Sequence, residues 1–290
     1  MLMAEPRQNT SNAVRVLILL VLTLAGTMLT GIATVALNML HIDILWSVVL
    51  QDILVFILPA ILLAAICYRG PWRFLELDRT PQWQAIVLVT MIWAVSLPAL
   101  NWIVEWNQNL HLPDSMAAWD KMMREAEEMA EQLMGQILAT DTVGQMLMAF
   151  VVVGIMAGLS EELFFRGALL GIMRRGRASV HVVIWVVAFV FSAIHLQFLG
   201  FVPRMLLGAW FGYLLLWTRS LWVPIFAHTL NNGMVVVFEW MGNNHWVNKD
   251  MIDHLGVPTN GGFPWMAVVS AIATTALIVT VYHIFSKKAS

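Results

Sequence analysis

Residues 16–37 read VLILLVLTLAGTMLTGIATVAL, a run without a single Asp, Glu, Lys or Arg. A helix needs about 20 predominantly apolar residues to cross the hydrocarbon core of a bilayer, so this run predicts a membrane-spanning helix. Arg7 and Arg15 precede it, as basic residues precede a secretory signal. No clear small-residue cleavage site follows, and we therefore interpret the run as a retained span.

The whole chain has the composition of a membrane protein. Of its 290 residues, 60% are hydrophobic and 12% are charged, whereas a soluble domain is about 45–50% apolar and about 25% charged. The apolar runs predict eight spans, at residues 13–37, 45–68, 84–105, 143–172, 180–199, 201–217, 221–240 and 263–285. Because a helix satisfies its own backbone polar groups in hydrocarbon, we predict an all-α membrane protein. It is a polytopic bundle of about eight transmembrane helices, with residues 1–290 forming a single transmembrane domain.

Charge and cysteine content exclude several other classes of protein. The net charge of -2 offers no basic surface for nucleic acid, whose binding depends on neutralising phosphates. Cys67 is the sole cysteine, which excludes an internal disulfide and a cysteine-based metal site.

The distribution of basic residues predicts the orientation of the bundle, because cytoplasmic loops carry an excess of Lys and Arg. With the N-terminus inside, the cytoplasmic segments hold Arg7, Arg15, Arg69, Arg73, Arg79, Arg174, Arg175, Arg177, Arg219, Lys287 and Lys288. We therefore predict a multi-pass protein of the cell (inner) membrane with both termini in the cytoplasm.

The one long loop, residues 107–142, is acidic and lies on the opposite, extracytoplasmic side in this orientation. Met122, Ala126, Met129, Leu133 and Ile137 recur there at helical spacing, which indicates an amphipathic helix. Such a helix rests on the membrane surface or covers the bundle. A packing role is favoured over a role in substrate binding.

The fourth predicted span carries three charged residues, which are costly inside a membrane and therefore mark a candidate functional site. They occur in the sequence GLSEELFFRG at residues 158–167. Glu162 and Arg166 are four residues apart and can form an ion pair on one helix face. Glu161 lies about 100° further round the helix and has no local counter-ion. The paired carboxylate suits a structural role and the unpaired one suits chemistry.

Two later spans contribute further polar groups. His195 lies near the end of the fifth span, and His228 and Asn232 share one face of the seventh. At about 1.5 Å of rise per residue, these three and Glu161 all fall in the middle zone of the bilayer. Each alone has a structural explanation, such as a hydrogen bond to a neighbouring helix. Four polar positions at matching depth favour a shared site.

These groups suit the hydrolysis of a peptide bond, which needs an activated water, a stabilised oxyanion and a proton for the leaving amine. Glu161 is the candidate general base, and His195 would hold the same water or return a proton. His228 and Asn232 would donate hydrogen bonds to the oxyanion, and a conical or cleft-like cavity would admit water. Glu161, His195 and His228 are also a possible zinc ligand set, but they lack the spacing of a zinc protease motif. Catalysis without a metal is favoured.

At these residues the sequence resembles the CPBP family of intramembrane endopeptidases, also called the Abi or CAAX-protease family (Rce1-like). The family pattern is Glu-Glu-x-x-x-Arg, then Phe-x-x-x-His, then His-x-x-x-Asn. This chain has, in that order, Glu161-Glu162 with Arg166, Phe191 with His195, and His228 with Asn232. The resemblance covers residues 143–240, which we interpret as the catalytic core of spans four to seven.

The resemblance implies that Glu161 and His195 activate the attacking water and that His228 and Asn232 form the oxyanion hole. Glu162 and Arg166, with Phe191, would support the geometry of the site. The family has been described both as metalloproteases and as glutamate proteases, so the zinc alternative stays open. The implied substrate is a membrane-associated peptide or protein. The alternatives are a non-catalytic membrane scaffold or sensor of the same fold and, less favoured, an ion-coupled transporter.

Overall fold

The computed structural model describes residues 5–7, 10–258 and 261–286, and the regular structure within them is helical. The long helices are α1 (Asn12–Met39), α2 (Leu45–Cys67), α3 (Trp83–Gln108), α4 (Ala117–Leu138), α5 (Val143–Met173), α6 (Val180–Ala193), α7 (Phe201–Thr218), α8 (Trp222–Asn243) and α9 (Trp265–Phe285). Short helical turns occur at Pro71–Phe74, Asp114–Met116, Phe198–Gly200 and Lys249–Asp253.

The prediction of an all-α polytopic membrane bundle is confirmed. Six segments of the described chain are long and apolar enough to cross a membrane, namely α1, α2, α3, α5, α9 and α7 together with the turn before it. The other two predicted spans are also helical. α6 is apolar but has only 14 residues, and α8 is more polar because it carries His228, Asn231, Asn232 and Glu239.

The fifth predicted span is shorter than expected. A helix was predicted over residues 180–199, but α6 ends at Ala193 and His195 lies in the turn that follows. Leu196 adopts a φ of 56°, a left-handed conformation that an L-residue in a right-handed helix does not have. The break expected between the predicted spans at residues 180–199 and 201–217 therefore comes earlier. Pro203 lies in the first turn of α7, where a missing N–H costs no helical hydrogen bond.

The predicted cytoplasmic segments meet at one end of the bundle. Arg174, after α5, donates a hydrogen bond from Nη2 to Oε1 of Glu76 at 2.6 Å. Ser220, between α7 and α8, donates from its Oγ to the backbone oxygen of Arg79 at 2.7 Å. Lys287 and Lys288, which also entered the orientation argument, lie outside the described residues. The side of the membrane that this end faces stays a prediction.

Residues 117–138 of the long loop form α4, which packs on the bundle at its C-terminal end. Ile137 and Leu138 are buried, and Leu138 joins Ala149 of α5 and Val236 of α8 in a small apolar cluster. Met129 is 71% exposed. One end of this helix therefore contacts the bundle while apolar side chains further back remain uncovered.

α5 and α8 pack against each other through small residues, which let two helices approach closely in a membrane. Gly154 faces Gly233, and Gly158 faces Thr229. A Cβ at Gly158 would lie 2.6 Å from Oγ1 and 2.9 Å from the backbone nitrogen of Thr229. This close approach fixes α8, with its polar residues, against the charged turn of α5.

We expect Gly158→Ala to destabilise the protein by about 1–3 kcal/mol, because the added methyl group overpacks the α5–α8 contact. Gly31→Ala in α1 is the matched control, since a Cβ there has no atom within 4 Å. Unfolding in detergent, followed by circular dichroism, measures both. Equal stability of the two variants would show that the contact tolerates a side chain.

Candidate active site

The centre of the site is a buried ion pair on α5. Nη1 of Arg166 donates a hydrogen bond to Oε1 of Glu162 at 2.7 Å, and the two side chains are 1% and 0% exposed. Nη2 of Arg166 donates to the backbone oxygen of Gly208 in α7 at 2.9 Å. The ion pair predicted from the spacing of Glu162 and Arg166 is confirmed, and it also holds α7.

Aromatic rings surround the guanidinium of Arg166. Its Cζ lies 4.5 Å from the ring centroid of Phe191, 5.3 Å from that of Phe211 and 5.9 Å from that of Phe165. Ring faces attract a cation, and they exclude water from it. The charge of Arg166 is therefore matched by Glu162 and by π electrons rather than by solvent.

His228 of α8 lies between the two adjacent glutamates. Its Nδ1 is 2.9 Å from Oε1 of Glu162, and its Nε2 is 3.8 Å from Oε2 of Glu161. The Phe211 ring stacks on the imidazole with centroids 5.0 Å apart. Because a carboxylate only accepts hydrogen bonds, we assign the Nδ1 proton to the bond with Glu162. The imidazole thus spans the gap between two carboxylates that diverge on the helix.

Glu161 differs from Glu162 in its surroundings. Its side chain is 15% exposed, whereas that of Glu162 is fully buried, and Oε2 of each carboxylate is buried without a hydrogen-bond partner. Among the described residues, the one ion-pair contact of Glu161 is with His228. A buried oxygen that makes no hydrogen bond is costly, and such groups concentrate at functional sites.

His195 approaches the same region from the turn after α6. Its Nδ1 is 2.7 Å from the backbone oxygen of Phe191. Since a carbonyl oxygen only accepts, Nδ1 carries the proton and Nε2 of the neutral ring keeps its lone pair. The Phe191 ring lies 5.2 Å from the His195 ring and 6.0 Å from the His228 ring. The Glu161 carboxylate acts electrostatically on His195.

Asn232 lies one turn beyond His228 on α8. Its Nδ2 donates to the backbone oxygen of Val153 at 3.4 Å, and its Oδ1 accepts from Nδ2 of Asn231 at 3.1 Å. In the described part of the chain no hydrogen bond links Asn232 to Glu161, His195 or His228. The structure therefore brings Glu161, His195 and His228 together and places Asn232 at the edge of this group.

Asp52 of α2 was missed by the sequence analysis. It is 3% exposed, and its Oδ1 accepts a 2.8 Å hydrogen bond from Oγ of Ser160, the residue before Glu161. A carboxyl group within an apolar span was the criterion that identified Glu161. Applied to the sequence LQDILVF at residues 50–56, it would have identified Asp52 as well.

The outer end of the site holds a second missed group, Arg204. It donates from Nη2 to Oε1 of Gln197 at 2.8 Å and acts electrostatically on His195. Glu127 of α4 interacts with the Arg204 charge. Burial raises the pKa of the Glu127 carboxyl, and Arg204 opposes that shift. α4 thus contributes an acidic residue that interacts with the cation acting on His195.

A cleft of about 620 Å³ lies between α1, α2, α5 and α6, and its lining includes none of the four polar residues Glu161, His195, His228 and Asn232. Thr23 and Thr27 of α1 line one side, and Phe56, Phe164 and Ile194 line the other. Within the described residues, no three His, Cys, Asp or Glu side chains are arranged so that they could hold a metal ion.

The comparisons with known proteins agree with this geometry. The family model described as "Type II CAAX prenyl endopeptidase Rce1-like" matches residues 143–234, the segment that contains all three motifs. No curated protein and no solved structure matches the chain. The resemblance to the CPBP (Rce1-like) family is thus confirmed over residues 143–234.

Proposed function

We propose that the protein is an intramembrane endopeptidase that hydrolyses a peptide bond in a membrane-associated peptide or protein. The observation that carries this proposal is the pair of adjacent glutamates, of which Glu162 is buried in an ion pair with Arg166 and Glu161 has neither Arg nor Lys as a partner among the described residues. Glu161 has a free oxygen 3.8 Å from an imidazole that Glu162 already holds. The arrangement separates a supporting carboxylate from one that is available to react.

Glu161 and His195 would activate the water. The Glu161 carboxylate accepts one proton as the water oxygen attacks the carbonyl carbon, and Nε2 of His195 accepts a hydrogen bond from the same water. The carbonyl oxygen becomes an oxyanion. When the carbon–nitrogen bond breaks, the proton held by Glu161 goes to the leaving nitrogen, so that an acid and an amine are released.

His228 and Asn232 would stabilise the oxyanion. Nδ1–H of His228 is committed to Glu162, so a hydrogen bond to the oxyanion must come from Nε2–H of the imidazolium form. Asn232 has a second Nδ2–H beyond the one bonded to Val153.

The remaining residues would hold these groups in place. Glu162 orients His228, and Arg166 holds Glu162 in an ion pair and ties it to α7. Phe191 contacts both imidazoles and the guanidinium. Preorganised groups of this kind contribute to catalysis because they need not rearrange during the reaction.

We propose that water is activated without a metal. The lack of the His-Glu-x-x-His spacing of a zinc protease motif in the sequence favours this route. Zinc held by Glu161, His195 and His228 is the alternative. We expect kcat to be unchanged after treatment with a strong chelator. Elemental analysis verifies that zinc has been removed, and a known zinc protease treated in parallel shows that the chelator works. Loss of activity that added zinc restores would favour the alternative.

The proposed place of action is the cell membrane, with both termini in the cytoplasm.

To test the function, purified protein in proteoliposomes is given an internally quenched peptide that ends in a prenylated CAAX sequence. The same peptide without the prenyl group shows whether the lipid is required. We expect cleavage of at least one of them. A wild-type protein that cleaves neither supports a non-catalytic scaffold or sensor instead.

A further inference from the structure

Asp52 is the buried carboxyl group that the proposed reaction does not use. It is 3% exposed, and the described residues include no Lys or Arg in an ion pair with it. Its Oδ1 accepts a hydrogen bond from Ser160, which is fully buried, and its Oδ2 has no partner. The groups that act electrostatically on it include Glu161 and His228.

A packing role alone does not account for an acidic side chain here. Buried serines elsewhere in the bundle bond to backbone oxygens, as Ser192 does to Phe201 and Ser270 does to Val95. Ser160 also reaches the backbone oxygen of Ala157, at 3.2 Å. Its hydroxyl therefore has an acceptor without Asp52, whereas an acid within a membrane span is expensive to keep.

Local backbone geometry gives a second, independent observation. α2 changes to π-helical hydrogen bonding over Asp52–Ile57, and α5 does so over Leu163–Leu169, directly after Glu162. Such π segments in helices are frequent at functional sites. Gly26 of α1 packs so closely on the backbone oxygen of Leu54 that no side chain fits there. The segment that carries Asp52 is thus held from both sides.

We propose that Asp52 is a positioning residue of the site, which fixes the Ser160 turn of α5 so that the Glu161 carboxylate faces His228. This inference rests on the proposed endopeptidase function. The path is one hydrogen bond and one peptide unit long, from the Asp52 carboxyl to the Ser160 hydroxyl and then to the next residue. Without that bond the turn keeps its packing on α8 but loses its contact with α2, and a small displacement of a catalytic group greatly slows a reaction.

The kinetic test uses the quenched CAAX peptide that wild-type protein cleaves. We expect Asp52→Ala and Ser160→Ala each to lower kcat by about 10- to 100-fold, by analogy with groups that hydrogen-bond to the ligands of a metal site, and to leave KM unchanged. The variant with both substitutions should have the same kcat as either single variant, because both remove the same hydrogen bond. Asp52→Asn should retain most of the wild-type kcat, because its amide oxygen accepts the same hydrogen bond. Ser270→Ala, which removes a buried serine far from the site, should keep the wild-type kcat.

A second measurement needs no substrate. The protein is labelled with nitrogen-15 in its histidine rings, and the signals of His228 are assigned by their loss in His228→Gln. In detergent, the NMR resonance of Nε2 then reports on the group that faces this nitrogen. We expect Asp52→Ala and Ser160→Ala to shift the Nε2 resonance in the direction that Glu161→Gln does, and Ser270→Ala to leave it in place.

Unchanged kcat and an unchanged resonance in Asp52→Ala would overturn the proposal, and so would equal losses in Asp52→Asn and Asp52→Ala. If Asp52→Ala fails to fold, Ser160→Ala and Asp52→Asn are compared instead. A kcat that falls in Ser160→Ala and stays near wild type in Asp52→Asn supports the proposal, and a wild-type kcat and resonance in Ser160→Ala overturn it. If wild-type protein cleaves no peptide, the endopeptidase function fails, and the NMR measurement still decides whether Asp52 orients Glu161.

Discussion

Glu161→Gln is expected to lower kcat for peptide cleavage by about 10²–10⁴, the contribution typical of a general base. Glutamine keeps the shape of the side chain but cannot take a proton from water. Glu161 is also free of the ion pair that stabilises Glu162, so we expect the unfolding temperature to stay close to that of wild type. Initial rates on the quenched peptide, with unfolding followed in the same detergent, measure both quantities.

The matched control for this variant is Glu239→Gln. Glu239 lies on α8, and its Oε1 is 2.5 Å from Nζ of Lys249, outside the site. We expect its kcat to equal that of wild type. If Glu161→Gln cleaves the peptide at the wild-type rate, Glu161 is not the base and the proposed reaction is wrong.

Arg166→Met should have the largest effect on stability, a loss of about 3–5 kcal/mol, because it leaves a buried carboxylate without its partner. The variant also removes the hydrogen bond to Gly208 that joins α5 to α7. Unfolding in detergent at neutral pH measures the change. Glu162→Gln should also destabilise, since it leaves the Arg166 charge buried and uncompensated.

Lys121→Met is the comparison for Arg166→Met. Lys121 also pairs with a glutamate four residues away, but the side chains of this pair are 78% and 60% exposed. Solvent-exposed ion pairs contribute little, so we expect almost no change. If Arg166→Met were as stable as wild type, the buried ion pair would not be needed to hold the fold.

The spans and the ion pair could be predicted because they depend on local sequence. Apolar runs mark the helices, and the four-residue spacing of Glu162 and Arg166 determines their contact on one helix face. The position of His195 could not be predicted in the same way. Its turn follows from the left-handed conformation of Leu196, and nothing in the side chain of a leucine favours that conformation.

The contacts of His228 depend on how two helices pack. The approach of Gly154 and Gly158 to Gly233 and Thr229 sets the rotation of α8, and that rotation decides which carboxylates the imidazole reaches. The partner of Asp52 is likewise 108 residues away along the chain. Contacts at such separations follow from packing, which a single sequence does not display.

The hydrogen bonds of Arg166 have a consequence for how a substrate enters. Through this guanidinium and Glu162, α5, α7 and α8 are joined at one point inside the membrane. These three helices form the rigid wall of the protein, because parting them would strand buried charges in lipid. The movable wall is then the side of α1, which packs mainly on α2. On the proposed function, we expect a peptide from the bilayer to enter on this side, by displacing lipid chains rather than by parting α5, α7 and α8.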